Sequence, residues 1–452
     1  MNKTVLIWLA LAALLSFKSF RRPSYAVGLY MLTFLVHPSF WWWGDAIEGY
    51  RWNFFAGLLL LGTVILNNQR QPQVQASPLQ TGVARVLFLI LLNAVFVHFM
   101  LAVNPDSSMG WLTNRLKFAL LFFLLQYSIR DQKDFRIVAM SILFGIGYIG
   151  YEATINERGS FNGGRLEGIG AAGVQSANQL ASLLVTALPL GTAVLFTRTA
   201  TWIKVVAVLC CAFTLNLILL CNSRGAFLGV LASAFVFVAL ASGPARKQSR
   251  RLGVLAVIGT FLLLGDPRII ERFMTIFQGA EADSSAQSRI VFWRAAQDML
   301  VAYPMGSGGN SFSEGRGWRF MGASNPGETR AIHNGFLTEA TDWGVQGIAL
   351  ALMFLLAVWW VCWRGRRLAL AAGDANAVLT FACIAGSLAA WATSSVFGDY
   401  LNDEWGFWTA ALACAYLRVK ILEPVPEELP APRSFAVPAS SFAQPARGSS
   451  VP

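Results

Sequence analysis

The chain has 452 residues, of which 55% are hydrophobic and only 13% charged, with a mean hydropathy of +0.52; soluble domains carry about 25% charged residues, so that class is excluded. Its apolar residues form long continuous runs and not short alternating strands, which excludes a membrane barrel and leaves a helical membrane protein. A net charge of +11 would point to nucleic acid in a soluble protein. Here the bias of Lys and Arg towards cytoplasmic connections accounts for much of it, and no nucleic-acid partner is expected.

In chain order, the apolar runs predict spans at 4–17, 24–37, 53–66, 84–103, 111–128, 136–154, 176–197, 202–221, 225–241, 252–265, 335–362, 376–396 and 405–417. Several are shorter than the roughly 20 residues of a full crossing, so the count is twelve or thirteen. The first run lacks a small-residue cleavage site and is followed by Lys18, Arg21 and Arg22, so it reads as a span and not a removed signal. With thirteen spans and the N-terminus outside, the clusters at Lys18–Arg22, Arg70/Arg85, Arg130–Arg136, Arg198/Lys204, Arg246–Arg251, Arg364–Arg367 and Arg418/Lys420 all fall in the cytoplasm. The organisation is then N-terminal spans (1–155), central spans with arginine-bearing outer turns (156–265), a large outer loop (266–334), C-terminal spans (335–420) and a Pro/Ala/Ser-rich tail (421–452) read as disordered. The six cysteines lie in or beside apolar runs without a CxxC pattern, so neither disulfide nor metal site is expected of them.

This topology gathers arginines on the outer face: Arg51, Arg158, Arg165, Arg224, Arg268, Arg272, Arg289, Arg294, Arg316, Arg319 and Arg330. Beyond residue 3 no lysine joins them, whereas the cytoplasmic face mixes both residues. A guanidinium grips phosphate oxygens in a bidentate fork and keeps its charge. Because the topology bias opposes this concentration, an anionic ligand on that face explains it; ion-pairing with local Asp and Glu is the plainer alternative.

Arg224 sits in the tight turn Asn222-Ser223-Arg224-Gly225 between two apolar runs, held at the membrane boundary. An arginine at mid-bilayer costs about 2.5–3.5 kcal/mol and less near the interface, so either a ligand or snorkelling to headgroups must offset it. His333 opens a predicted helix with Asn334 as N-cap. Extended at about 100° per residue, that helix places Ala340, Gly344, Gly347 and Ala351 below the histidine as a small-residue stripe open to a helix or a polyprenyl chain. His333 is thus either a general base to a hydroxyl or a capping residue. Arg289 lies near the start of an amphipathic segment with Ile290, Val291, Trp293, Ala296, Met299 and Leu300, expected to rest on the membrane surface after a cap at Asp283-Ser284-Ser285. It is read as an anion contact or as a salt bridge to Asp283. No DxD or HExxH pattern occurs, and Asp399 and Glu404 are read as sugar-binding, partner-orienting or structurally paired.

Taken together these residues resemble the O-antigen ligase and polymerase superfamily of bacterial envelope glycosyltransferases. His333-Asn334, nine residues and Gly344-Val345-Gln346-Gly347 resemble the ligase motif His-[Asn/Ser/Gln]-x9-Gly-x-x-[Gly/Thr/Tyr]. Ser223-Arg224-Gly225 is similar to the family's Ser-Arg-Gly turn, and Arg289 with Trp293, then Pro304-Met305-Gly306-Ser307-Gly308, resemble its Arg-x3-Trp and Pro-x-Gly-x-Gly elements. The resemblance spans roughly 150–400. It implies an all-α, GT-C-like polytopic fold with a large periplasmic loop in the bacterial inner membrane. The reaction it implies is metal-independent, inverting glycosyl transfer without cofactor, from a glycan on undecaprenyl diphosphate to a hydroxyl of lipid A-core or another glycan or protein acceptor. By the same resemblance Arg224 and Arg289 bind the diphosphate and His333 takes the acceptor proton; Arg165 and Arg330 are further candidates for the anion site. A polymerase and a protein O-glycosylating ligase share donor and chemistry and stay open. A transporter of lipid-linked anions would show internal repeats, and none is found. The Trp41-Trp42-Trp43 loop carries no assignment.

Overall fold

The computed structural model describes residues 3–70, 81–162, 164–174, 176–197, 199–241, 246–247, 251, 284–322 and 330–422. Six helices open the chain: α1 (Lys3–Ser19), α2 (Ser24–Leu35), α3 (Trp52–Arg70), α4 (Gly82–Leu101), α5 (Pro105–Ser128) and α6 (Gln132–Thr154). A short antiparallel hairpin follows, β1 (Ser160–Asn162) against β2 (Arg165–Glu167). Then come α7 (Ala177–Thr192), α8 (Thr201–Cys221), α9 (Arg224–Leu240), α10 (Ser284–Ala302), α11 (Gly335–Ala371), α12 (Ala375–Ser395) and α13 (Glu404–Leu422). The protein is an all-α polytopic membrane protein.

Every predicted span but one coincides with one of these helices; the run at 252–265 lies outside the described residues, as do Arg268, Arg272, Asp283 and most of the predicted tail. Among the described residues, six helices are long and apolar enough to cross a membrane on their own: α4, α6, α7 with its extension to Phe196, α8, α11 and α12. Shorter elements such as α2, with 12 residues, rise about 1.5 Å per residue and fall short of a ~30 Å hydrocarbon core. Helix α11 runs past the predicted end at 362, so Arg364, Arg366 and Arg367 belong to the helix and not to a connection.

The centre of the bundle is α12, packed on α7, α9 and α11, with α13 beside it against α5. Outward faces carry exposed Ile7, Phe17, Phe99, Phe235 and Leu356, as lipid contact requires. Small residues let backbones meet: a Cβ on Gly150 would come within 2.4 Å of the Phe213 carbonyl oxygen, which is how α6 lies close on α8. The tryptophan loop is part of this packing. Trp41 and Trp43 are buried, the Trp43 indole donates to the Tyr148 hydroxyl at 2.8 Å, and Trp42 stays outside under the Arg158 guanidinium.

Helix α11 is interrupted at Gly344, whose φ of 81° lies outside the helical region. The Pro304–Asn310 turn fills the break. Val345 N–H donates to the Pro304 carbonyl, and the Thr341 and Asp342 carbonyls accept from Ser307 and Gly308 N–H. The Trp343 carbonyl accepts from the Asn93 amide at 2.9 Å, and the Asp342 carboxylate accepts from Asn310 N–H, Ser311 N–H and the Ser311 hydroxyl. This corrects the smooth stripe expected below His333. The histidine precedes the helix with φ of 56°, and Gly344 faces the Met305 backbone, not an open groove.

Candidate active site

Helices α6, α8 and α12 all finish at one end of the bundle, where α7, α9, α11 and α13 begin. Three connections meet there. Asn222 closes α8 in the left-handed region (φ 48°), a conformation Asn tolerates, and its amide donates to the Gly164 carbonyl at 3.1 Å in the β1–β2 turn. Arg224 is the first residue of α9 and is half-buried. Beside it, Gly225 packs so closely on Phe397 that a Cβ would lie 2.8 Å from that side chain. Arg165 on β2, the Arg224 turn and the connection after α12 are therefore one neighbourhood.

His333 is fixed from three directions. The Trp293 indole on α10 donates to the Ile332 carbonyl at 3.1 Å, just before the histidine. The Asp399 carboxylate accepts from the backbone N–H of His333 and of Asn334, each at 3.2 Å, and from the Thr338 hydroxyl. Asn334 caps α11 by accepting from Phe336 and Leu337 N–H. The Arg-x3-Trp element thus supplies a positioning indole, and the aspartate orients the chain at the histidine.

The charges around the ring are equally specific. Burial holds the His333 imidazole below its ordinary value; Arg289 and Arg330 push in the same direction, and Asp399 opposes them. The ring is therefore neutral at neutral pH and able to accept a proton. Tyr400, next to Asp399, is raised by burial and by Asp403 and Asp399, while Arg289 and Arg165 lower it. Arg289 acts on both His333 and Tyr400, so the structure brings together His333, Asp399, Arg289, Arg330, Tyr400 and Arg165, with Arg224 on the adjoining turn. Asp403 is pushed up to about 8, chiefly by burial, with the Gln179 amide on its carboxyl at 3.3 Å. It keeps its proton at neutral pH and does not compete for the arginines.

Helix α10 turns its Phe292, Ala295, Ala296 and Met299 face onto Phe312, Met321 and Ile332, leaving Ile290 and Val291 exposed. The expected apolar face is corrected by this rotation: the helix packs on its own loop, and Arg289 rides on its second turn. Gly344 and Gly347 serve the break in α11, with Gly344 against the Met305 backbone and Gly347 against Trp343. His98 and His37 are structural, bonded to the Ser108 and Ser39 hydroxyls.

Sequence reasoning passed over Tyr400 and, beside the same connection, Arg115. Arg115 on α5 pairs with Glu339 on α11, donates to the Asn402 side chain at 2.6 Å and lies 4.4 Å over the Trp343 ring. Its signal was present: an arginine and a glutamate each inside a predicted span. Among the described residues there is no group of three or more His, Cys, Asp or Glu side chains placed to hold a metal ion.

Residues 206–352 match the family model of the O-antigen ligase. The matched stretch contains Arg224, Arg289, Arg330 and His333, and ends before Asp399. No curated protein matches the chain in sequence. The stretch that resembles the O-antigen ligase family, about a third of the chain, thus lies within a multi-pass helical membrane bundle.

Proposed function

We propose that this enzyme is a ligase that moves a glycan from undecaprenyl diphosphate to a hydroxyl of lipid A-core or a comparable surface acceptor, on the periplasmic face of the inner membrane. The observation that carries the reading is His333, its backbone N–H held by Asp399 and its imidazole pushed towards the neutral form by burial and by Arg289 and Arg330. The acceptor oxygen attacks the anomeric carbon as the bond from that carbon to the diphosphate oxygen breaks. The diphosphate leaves with the bonding electrons, and the acceptor proton passes to the imidazole nitrogen of His333. Arg289 and Arg224, with Arg165 and Arg330 behind them, stabilise the charge developing on the leaving diphosphate. A single displacement of this kind inverts the anomeric centre and needs no cofactor.

The test is transfer by purified protein supplied with a polyprenyl-diphosphate glycan and lipid A-core in the presence of EDTA. Product from wild type, and from neither folded His333→Ala nor folded Arg224→Ala, is the expected result. Lengthening of the lipid-linked glycan without transfer to lipid A-core assigns a polymerase instead. Loss of wild-type activity with EDTA overturns metal independence.

A further inference from the structure

The connection between α12 and α13 touches both halves of the site, and one of its side chains has no work in the fold. Phe397 packs on Gly225, next to Arg224, and Asp399 accepts from the N–H groups of His333 and Asn334. Tyr400 bends back between these two contacts. Its ring covers Gly398 so closely that a Cβ there would lie 2.6 Å from the hydroxyl oxygen. The backbone beneath is fixed on both sides: the Gly398 carbonyl accepts from Gly335 N–H at 2.9 Å, and the Tyr400 carbonyl from the Trp391 indole at 2.8 Å. The ring is therefore held over the stretch that joins the Arg224 turn to the histidine.

The fold does not account for its hydroxyl. The hydroxyls of Tyr30, Tyr148 and Tyr303 are bonded to Glu404, the Trp43 indole and Arg316 at 2.8–2.9 Å. The Tyr400 hydroxyl makes no hydrogen bond among the described residues, whereas polar atoms taken from water are ordinarily paired. Its charged neighbours show which part of the site it serves. Arg289 acts on both His333 and Tyr400, Arg330 on His333, and Arg165 on Tyr400. The hydroxyl is thus grouped with Arg289 and Arg165, which the proposed reaction sets on the diphosphate. Burial, then Asp403 and Asp399, hold its proton in place, and a neutral phenol meets an anionic oxygen as a donor.

We propose that the Tyr400 hydroxyl donates a hydrogen bond to a phosphate oxygen of the polyprenyl-diphosphate donor. The assignment rests on the reading of this site as a diphosphate site, whichever acceptor takes the glycan. Guanidinium groups attract an anion in several poses, whereas one fixed hydroxyl marks one oxygen. Tyr400 would therefore select a single rotation of the diphosphate among those the arginines accept.

Tyr400→Phe removes one oxygen and leaves the ring over Gly398. The full chain in detergent is tested for binding of polyprenyl diphosphate without a glycan, alongside thermal melting and the transfer assay. The variant should bind polyprenyl diphosphate about 10–100-fold more weakly than wild type, with an unchanged melting temperature. Wild-type diphosphate binding with a raised KM for the acceptor assigns the hydroxyl to the acceptor and overturns the proposal. A melting temperature well below that of wild type means that the hydroxyl is bonded within the protein, and overturns it as well. The two claims fail separately. Wild type that binds polyprenyl diphosphate but transfers nothing removes the transfer reaction, and weaker binding by the variant still supports Tyr400. Wild-type transfer with equal diphosphate binding by both chains removes Tyr400 alone. Absence of binding by wild type overturns both.

Discussion

Asp399 holds His333 by its backbone: the carboxylate accepts the histidine's N–H at 3.2 Å and the next N–H at the same distance. Its influence on the imidazole is through charge, raising the affinity for a proton that burial and two arginines lower. Asp399→Asn offers one acceptor oxygen where two are used, so transfer should fall about 10–100-fold through misplacement of the ring. The acid limb of the pH–rate profile should also move to lower pH, because the carboxylate that raises the imidazole value is gone. A fall in rate with an unmoved acid limb would leave Asp399 a structural role only.

Arg289 and Arg330 work on His333 in the opposite sense. Arg289→Gln should lower turnover about 10²–10³-fold if it stabilises the departing diphosphate, and should move the acid limb to higher pH. Arg330 is exposed, so Arg330→Gln should give the same direction of shift with a smaller loss of rate. Pre-steady-state pH profiles on both variants test the sign.

Gly344 is fixed by geometry on two counts, a φ of 81° and a would-be Cβ 2.4 Å from the Met305 carbonyl carbon. Gly344→Ala should destabilise by at least about 1–3 kcal/mol from backbone strain alone. Thermal melting in detergent, alongside Gly373→Ala (φ 66° with open space around it), separates strain from the backbone clash.

The buried pair Arg115–Glu339 has side-chain exposures of 6% and 3%. Removing one partner strands a buried charge and costs about 3–5 kcal/mol, whereas replacing both with apolar residues costs much less. Arg115→Met should therefore melt lower than Arg115→Met/Glu339→Leu. The opposite order would mean that the link from Arg115 to Asn402 outweighs the ion pair.

Asp403 titrates at about 8 in the folded protein, against about 3.9 for an unperturbed aspartate. A raised carboxyl binds more protons folded than unfolded between these values, so it makes stability fall as pH climbs from about 4 to 8. Asp403→Asn keeps a polar partner for Gln179 and removes that slope. Melting temperatures at pH 5 and pH 8 should differ less in the variant than in wild type.

The apolar runs made the helices legible because length and continuity of hydrophobicity are local properties. Arg224, Arg289 and His333 were legible through motif spacing and through the cost of a cation at the membrane boundary. The path from Trp293 to Ile332 was not, because it joins residues 39 apart through a backbone carbonyl. Periodicity also misled at one place. Extending a helix back through His333 and on through Gly344 gave a continuous stripe, yet both residues have positive φ, and apolar patterning carries no information about that. Arg115 was overlooked because a run is judged by its average, and one charge inside it barely changes the mean.

The interruption of α11 also bears on how the protein is assembled. The Thr341, Asp342 and Trp343 carbonyls are completed by Ser307, Gly308 and Asn93, groups remote in sequence from the helix itself. Until the loop that carries Ser307 and Gly308 seats, the Thr341 and Asp342 oxygens lack these partners, at a cost on the order of 1–3 kcal/mol each. The upper turns of α11 therefore depend on the docked loop for their final form. A chain whose loop has not docked is one whose histidine is not yet in position, so the enzyme becomes competent only once its folding is finished.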